Sequence, residues 1–119
     1  MIGGITMEDC LFCKIAVGKI PVEKLYEDDD IVAFWDIEPH APKHFLVVPK
    51  RHIVNPSSMT AGDDELIGRL IRTAGRIAAD QGVGDNFRGV INNGAEAGQR
   101  VFHIHMHAMG GRPMNWPPG

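Results

Sequence analysis

From Phe102 to Ala108 the chain alternates strictly between apolar residues and histidine: Phe102-His103-Ile104-His105-Met106-His107-Ala108. A period of two belongs to a β-strand, whose successive side chains leave by opposite faces. Val101 to Met109 is therefore predicted to be a strand, with Phe102, Ile104, Met106 and Ala108 on one side and His103, His105 and His107 on the other. The apolar side needs a covering layer. The other side gathers three of the six histidines of the chain, and aligned imidazoles have three readings. They can form an exposed polar face, begin a three-histidine zinc site, or carry nucleophilic and acid–base catalysis, for which a side chain titrating near neutral pH is suited.

The covering layer is legible upstream. Leu66, Ile67, Leu70, Ile71, Ala74, Ile77 and Ala78 recur at the spacing of one helical face, which predicts a long helix from about Asp63 to Asp80. Asp63, Asp64 and Glu65 suit its positive N-terminal end and Gly82 its stop. Arg69, Arg72 and Arg76 fall on the opposite side and read as a solvated face. A shorter helix is predicted from about Asp9 to Val17, with Asp9 as N-cap and Gly18 as stop. Lys24–Glu27 and Ile31–Trp35 flank Asp28-Asp29-Asp30 as a hairpin. His44–Val48 is a further strand, fenced by Pro42 and Pro49 because proline cannot donate to a ladder, and Arg88–Asn92 is another. Strands with one long helix and little βαβ alternation indicate an α+β fold. A chain of 119 residues suits one domain: residues 1–8 are expected to be a flexible lead-in and residues 9–119 the domain.

Composition then removes several classes of function. A formal net charge of -3 lacks the basic excess of a nucleic-acid binder, so no nucleic-acid partner is expected. No apolar run approaches the ~20 residues of a bilayer span and no leader pattern opens the chain, so no membrane partner and a cytoplasmic location are expected. Cys10 and Cys13, the only two cysteines, form a C-x-x-C pair, which in such a chain points to a metal or redox site more than to a disulfide.

Directly before the histidines, Asn92-Asn93-Gly94-Ala95-Glu96-Ala97-Gly98-Gln99 supplies amides and glycines that let backbone N–H groups approach an anion. Joined to three aligned histidines, this loop suggests a phosphate site able to stabilise charge on pentacoordinate phosphorus without a metal.

These segments resemble the histidine-triad (HIT) superfamily, in its histidine-triad nucleotide-binding branch. The resemblance rests on His103-Ile104-His105-Met106-His107-Ala108-Met109, on Phe34-Trp35-Asp36-Ile37, on the stretch His44 to His52, on Gly98-Gln99 and on the tail Gly110 to Gly119. It implies a five-stranded antiparallel sheet with one long and one short helix, and a homodimer joined through the long helix and a strand, with Trp116-Pro117-Pro118 reaching toward the partner's active site. It also implies a purine nucleotide substrate of AMP or GMP type, cleaved as a nucleoside 5′-monophosphoramidate. His105 would attack phosphorus to form a covalent nucleotidyl-histidine, which water then hydrolyses. His107 would contact the phosphate oxygens and assist the leaving group, with His44 beside it. Asp36 would bind the ribose hydroxyls. Leu11, Phe12, Ile15, Phe34 and Ile37 would line the purine pocket, and Asn92, Gly98, Gln99, Arg100 and Val101 would surround the phosphate. Arg100 departs from the small hydroxyl residue of well-known members, so leaving-group preference is expected to differ. Catalysis would need no cofactor, but Cys10, Cys13, His52 and His103 match relatives that hold a structural zinc. His40 matches no assigned role. The rival readings are a three-histidine metallohydrolase and a non-catalytic nucleotide-binding or scaffold protein.

Overall fold

The computed structural model describes residues 9–119; the expected lead-in, residues 1–8, lies outside the described residues. The acidic turn joins β1 (Lys24–Glu27) to β2 (Ile31–Trp35) as expected. Asp28 Oδ1 accepts from the backbone N–H groups of Asp30 and Ile31, each at 2.8 Å, while Tyr26 Oη donates to Oδ2 at 2.7 Å. A carboxylate that caps its own turn leaves few backbone donors unsatisfied, which is why aspartate favours such corners.

Together with β3 (Lys43–Pro49), β4 (Phe87–Val90) and β5 (Met106–Gly110), these strands form one antiparallel sheet in the order β1-β2-β3-β5-β4. The fold is the α+β arrangement the sequence implied. β2 and β3 are buried on both faces. One face carries Ile31, Ala33, Phe45 and Val47 against the long helix α2 (Asp64–Asp80), which supplies Leu66, Ile67, Leu70, Ala74, Ile77 and Ala78. The opposite face carries Val32, Phe34, Leu46 and Val48 under the short helix α1 (Leu11–Ala16), through Phe12 and Ile15. Each fully buried Leu, Ile or Phe contributes roughly 1.5–3 kcal/mol, so the α2 layer dominates the core. Among the described residues no helix is long and apolar enough to cross a membrane.

Three boundaries and one position on the buried face of α2 differ from the sequence reading. Helix α1 starts at Leu11 with Cys10, not Asp9, at the N-cap, because the Cys10 thiol accepts from the Cys13 backbone N–H at 3.4 Å. On α2, Ile71 is 50% exposed and Thr73 is buried instead, since the buried arc centres on Leu70, Ala74 and Ile77 and Ile71 falls on its flank. Strand β5 begins at Met106, not Val101. Its ladder pairs Met106 with Val47 and would next need an N–H from Pro49, which has none; the Ile104 N–H bonds Ile53 O at 2.6 Å instead. Strand β4 correspondingly ends at Val90, opposite His107, and not at Asn92. Gly18 and Gly82, both at φ +81°, take the left-handed turn after each helix.

Candidate active site

The alternation still sorts the faces where the ladder has stopped. Ile104, Met106 and Ala108 join the core beneath α2. The three histidines take the α1 side, where Phe12 meets the rings of His103 and His105 edge-on, at 5.9 and 4.9 Å between centroids. Two of the three imidazoles face a cavity and the third does not.

The cavity holds about 640 Å³ between α1, the end of β2 and the loop before β5. Leu11, Phe12, Ile15, Phe34 and Ile37 line its apolar part, with Asp36, Asn92, Gly98, Arg100, Val101, His105 and His107 among the remaining walls. Every expected substrate-binding residue but one therefore shares a single hollow. Sequence reasoning missed Ile20, Pro21, Val22, Trp35, Glu38, His40 and Leu46, which also line it. The apolar triplet Ile20-Pro21-Val22, one residue past the Gly18 stop, was the available signal for the first three.

The exception is Gln99, which is only 2% exposed and turns away from the cavity. Its Oε1 accepts from the Gly94 N–H at 2.8 Å and from Asn55 Nδ2 at 3.3 Å, while its Nε2 donates to Val54 O at 2.7 Å and Val101 O at 3.2 Å. A buried amide wants all its donors and acceptors used; Gln99 meets that demand by bracing the loop. Gly94 and Gly98, at φ +98° and +104°, give the loop turns that side-chain-bearing residues resist.

His105 is buried, and its Nδ1 lies 2.8 Å from His103 O. A carbonyl can only accept, so the ring proton is on Nδ1 and Nε2 keeps its lone pair. Burial pushes His105 below the ordinary histidine value, with the His103 carbonyl and Asp36 opposing. His44 is ordered in the reverse sense. The His40 backbone N–H donates to its Nδ1 at 3.0 Å, which leaves the proton on Nε2, 3.0 Å from His107 Nδ1 and 3.3 Å from Asp36 Oδ2. When that proton goes to His107, His107 carries its own on Nε2. Burial lowers His44, and burial followed by the neighbouring His105 and His44 lowers His107 to about 4, so these rings are neutral near pH 7. His40, without an assigned role in the sequence, thus sets the tautomer of His44 through its backbone.

The third imidazole belongs elsewhere. His103 Nδ1 lies 3.3 Å from Cys10 Sγ, 3.5 Å from Cys13 Sγ and 3.2 Å from His52 Nδ1, and Cys13 Sγ lies 3.3 Å from His52 Nδ1. A tetrahedral zinc with bonds of about 2.3 Å to sulfur and about 2.0 Å to nitrogen sets neighbouring donors about 3.3–3.8 Å apart. The cluster fits those edges, and all four donor atoms lie within 4.8 Å of one another. His103 Nε2 donates to Pro49 O at 2.7 Å, which frees Nδ1 as a ligand and orients it, as outer-shell partners of metal-bound histidines do. As a thiol, Cys13 is pushed up to about 12 by burial and by the Cys10 sulfur, so a bound cation would stabilise the thiolates strongly. These four residues can hold a metal ion. Because His103 is turned to the cysteines, the triad imidazoles do not converge on one point.

A profile of the HIT domain matches residues 17–114. A HIT-like protein of Synechocystis is 52% identical over 112 residues, 94% of this chain and 98% of the relative. One of Synechococcus elongatus is 46% identical over the same shares. Among solved structures, a HIT family hydrolase from Legionella pneumophila superposes with a TM-score of 0.90 at 45% identity, covering 92% of this chain and 99% of its own. A histidine triad protein from Clostridium difficile gives 0.88 at 38%, covering 93% and 97%.

Proposed function

The chain belongs to the HIT domain family, and from that premise we propose that it is a purine nucleoside phosphoramidase, cleaving AMP- or GMP-type 5′-monophosphoramidates through a nucleotidyl-histidine intermediate. The observation that carries this reading is the His105 tautomer: a proton held on Nδ1 by His103 O, and a bare Nε2 on the wall of a nucleotide-sized cavity.

The purine packs among Leu11, Phe12, Ile15, Phe34 and Ile37, and Asp36 accepts from the ribose hydroxyls. The His105 Nε2 lone pair forms a bond to phosphorus while the P–N bond breaks, and the departing amine takes the Nε2 proton of His107. The His44 Nε2–H hydrogen-bonds His107 Nδ1 and steadies that ring as it gives up its proton. Water then attacks phosphorus and gives a proton back to His107 Nε2, the P–Nε2 bond breaks so that His105 regains its bare Nε2, and the nucleoside monophosphate leaves. Two easier displacements replace one difficult one, while in the 94–99 loop the N–H groups of Gly94, Ala97, Gly98 and Gln99 are spent within the loop and hold its shape. No metal is needed at phosphorus. A zinc held by Cys10, Cys13, His52 and His103 would be structural, with no open position, and would tie α1 to the triad segment.

We also propose a homodimer joined through α2 and β4. Ile71 is exposed on α2, and β4 lies at the end of the strand order, paired among the described residues only with β5. A cytoplasmic setting suits the free thiols of Cys10 and Cys13.

The test is His105→Ala against a fluorogenic adenosine 5′-phosphoramidate, with circular dichroism to confirm the fold. Turnover should fall by at least about a thousandfold, the scale of losing a covalent nucleophile. Near wild-type turnover in the variant would refute the nucleophile, and a wild-type protein that binds AMP but turns over no phosphoramidate would make the chain a binding protein.

A further inference from the structure

The cavity walls carry three formal charges, and they are unequally engaged. Asp36 accepts from the Glu38 N–H at 2.8 Å and lies 3.3 Å from His44 Nε2; Glu38 is the second carboxylate. Among the described residues, the only lysine or arginine on the walls is Arg100. Arg51, Arg69 and Arg112 are occupied by Asp63, Asp30 and the His40 carbonyl, while Arg72, Arg76 and Arg88 lie away from the cavity walls. Arg100 is exposed and, among the described residues, has no hydrogen-bond or ion-pair partner.

Its backbone is nevertheless held. The four hydrogen bonds of Gln99 fix the chain one residue before it, and Val101 O is one of the acceptors. The result is a fixed root with a free guanidinium, three residues ahead of His103 on the loop that leads into His105. A planar fork of donors matches the oxygens of a carboxylate or phosphate, and two parallel bonds form where a single ammonium gives one. A neutral amine leaving group offers that fork nothing.

Resting on the phosphoramidase reading, we propose that Arg100 selects the leaving group, taking a carboxylate or phosphate on the amine that departs from phosphorus. The favoured substrates are nucleotidyl conjugates of anionic amines, such as amino acids or phosphorylated amino alcohols, over conjugates of neutral ones.

The experiment compares kcat/KM for three adenosine 5′-phosphoramidates: the alanine conjugate, its methyl ester, and the phosphoethanolamine conjugate. Each is measured on the full chain and on Arg100→Gln and Arg100→Lys. The readout is the ratio of anionic substrate to ester within one enzyme, so any general loss in a variant cancels. A charge-assisted pair is worth about tenfold or more. The wild-type ratio should be about ten for the carboxylate, the phosphate or both, which also names the source. Arg100→Gln should bring it to about one, and Arg100→Lys should hold it between. A wild-type ratio near one, or a ratio that survives Arg100→Gln, overturns the proposal and leaves the phosphoramidase reading intact. No turnover of any conjugate removes the phosphoramidase reading, and the proposal with it.

Discussion

Lowering the pH should destabilise this protein through His107, by an amount that the site geometry sets. His107 is mostly buried beside His44 and His105, and its folded-state value is about 4 against an ordinary 6.5. Below 6.5 the unfolded chain takes up a proton that the folded chain refuses, so stability falls with pH through the window from about 6.5 to about 4 and levels off beneath it. The whole separation corresponds to about 3.4 kcal/mol at 1.36 kcal/mol per unit. Between about pH 7.5 and about pH 5.5 the loss is about 1.3 kcal/mol. Other buried histidines titrate in the same direction, so the measurement is a difference: urea unfolding of wild type and His107→Gln at both pH values, at one protein concentration. His44 and His105 are among the groups that lower His107, and that coupling is mutual, so the difference between the two proteins reads His107 together with its coupling to those two rings. Wild type should lose about 1.3 kcal/mol more than the variant over this interval. Equal losses would refute the claim that His107 is held neutral by its surroundings.

Metal analysis of protein prepared without a polyhistidine tag should find about one zinc per chain, and Cys13→Ser should lower that content and the unfolding midpoint together; metal-free protein with wild-type stability would remove the proposed structural zinc. Leu70→Ala, which empties a site 1% exposed at the centre of the α2 layer, should cost about 2–5 kcal/mol in urea unfolding, and a loss under about 1 kcal/mol would mean that α2 is not packed as described.

Periodicity made the sheet and long helix legible. Side-chain alternation gave the faces of the triad segment, and Leu70, Ala74 and Ile77 gave the core side of α2. The ends were harder, because they turn on particular donors. Ladder growth past Met106 stops at a proline on the neighbouring strand, a fact that belongs to the pairing register and not to either segment alone. Cys10 displaced Asp9 as the cap because a thiol accepted a bond that the local sequence offered equally to a carboxylate. Gln99 shows the same difficulty within the site. An amide beside a glycine loop looks alike whether it faces a substrate or three stretches of backbone, and only the fold brings Val54 and Asn55 close enough to claim it.

His103 shows why the triad cannot be read as three equivalent imidazoles. Its Nδ1 faces both cysteines and His52, its Nε2 bonds Pro49 O at the end of β3, and its carbonyl holds the proton on His105 Nδ1. The first two contacts are lost in any His103 variant. The third belongs to the backbone and survives only if the segment keeps its path, which those two contacts help to fix. Loss of activity in a His103 variant would therefore mix metal affinity, strand-end anchoring and nucleophile orientation. His105 carries none of that burden: its side chain makes one hydrogen bond and takes no part in the cysteine cluster. Substitution at the middle histidine thus isolates chemistry at phosphorus, whereas substitution at the first reports on the scaffold that aims it.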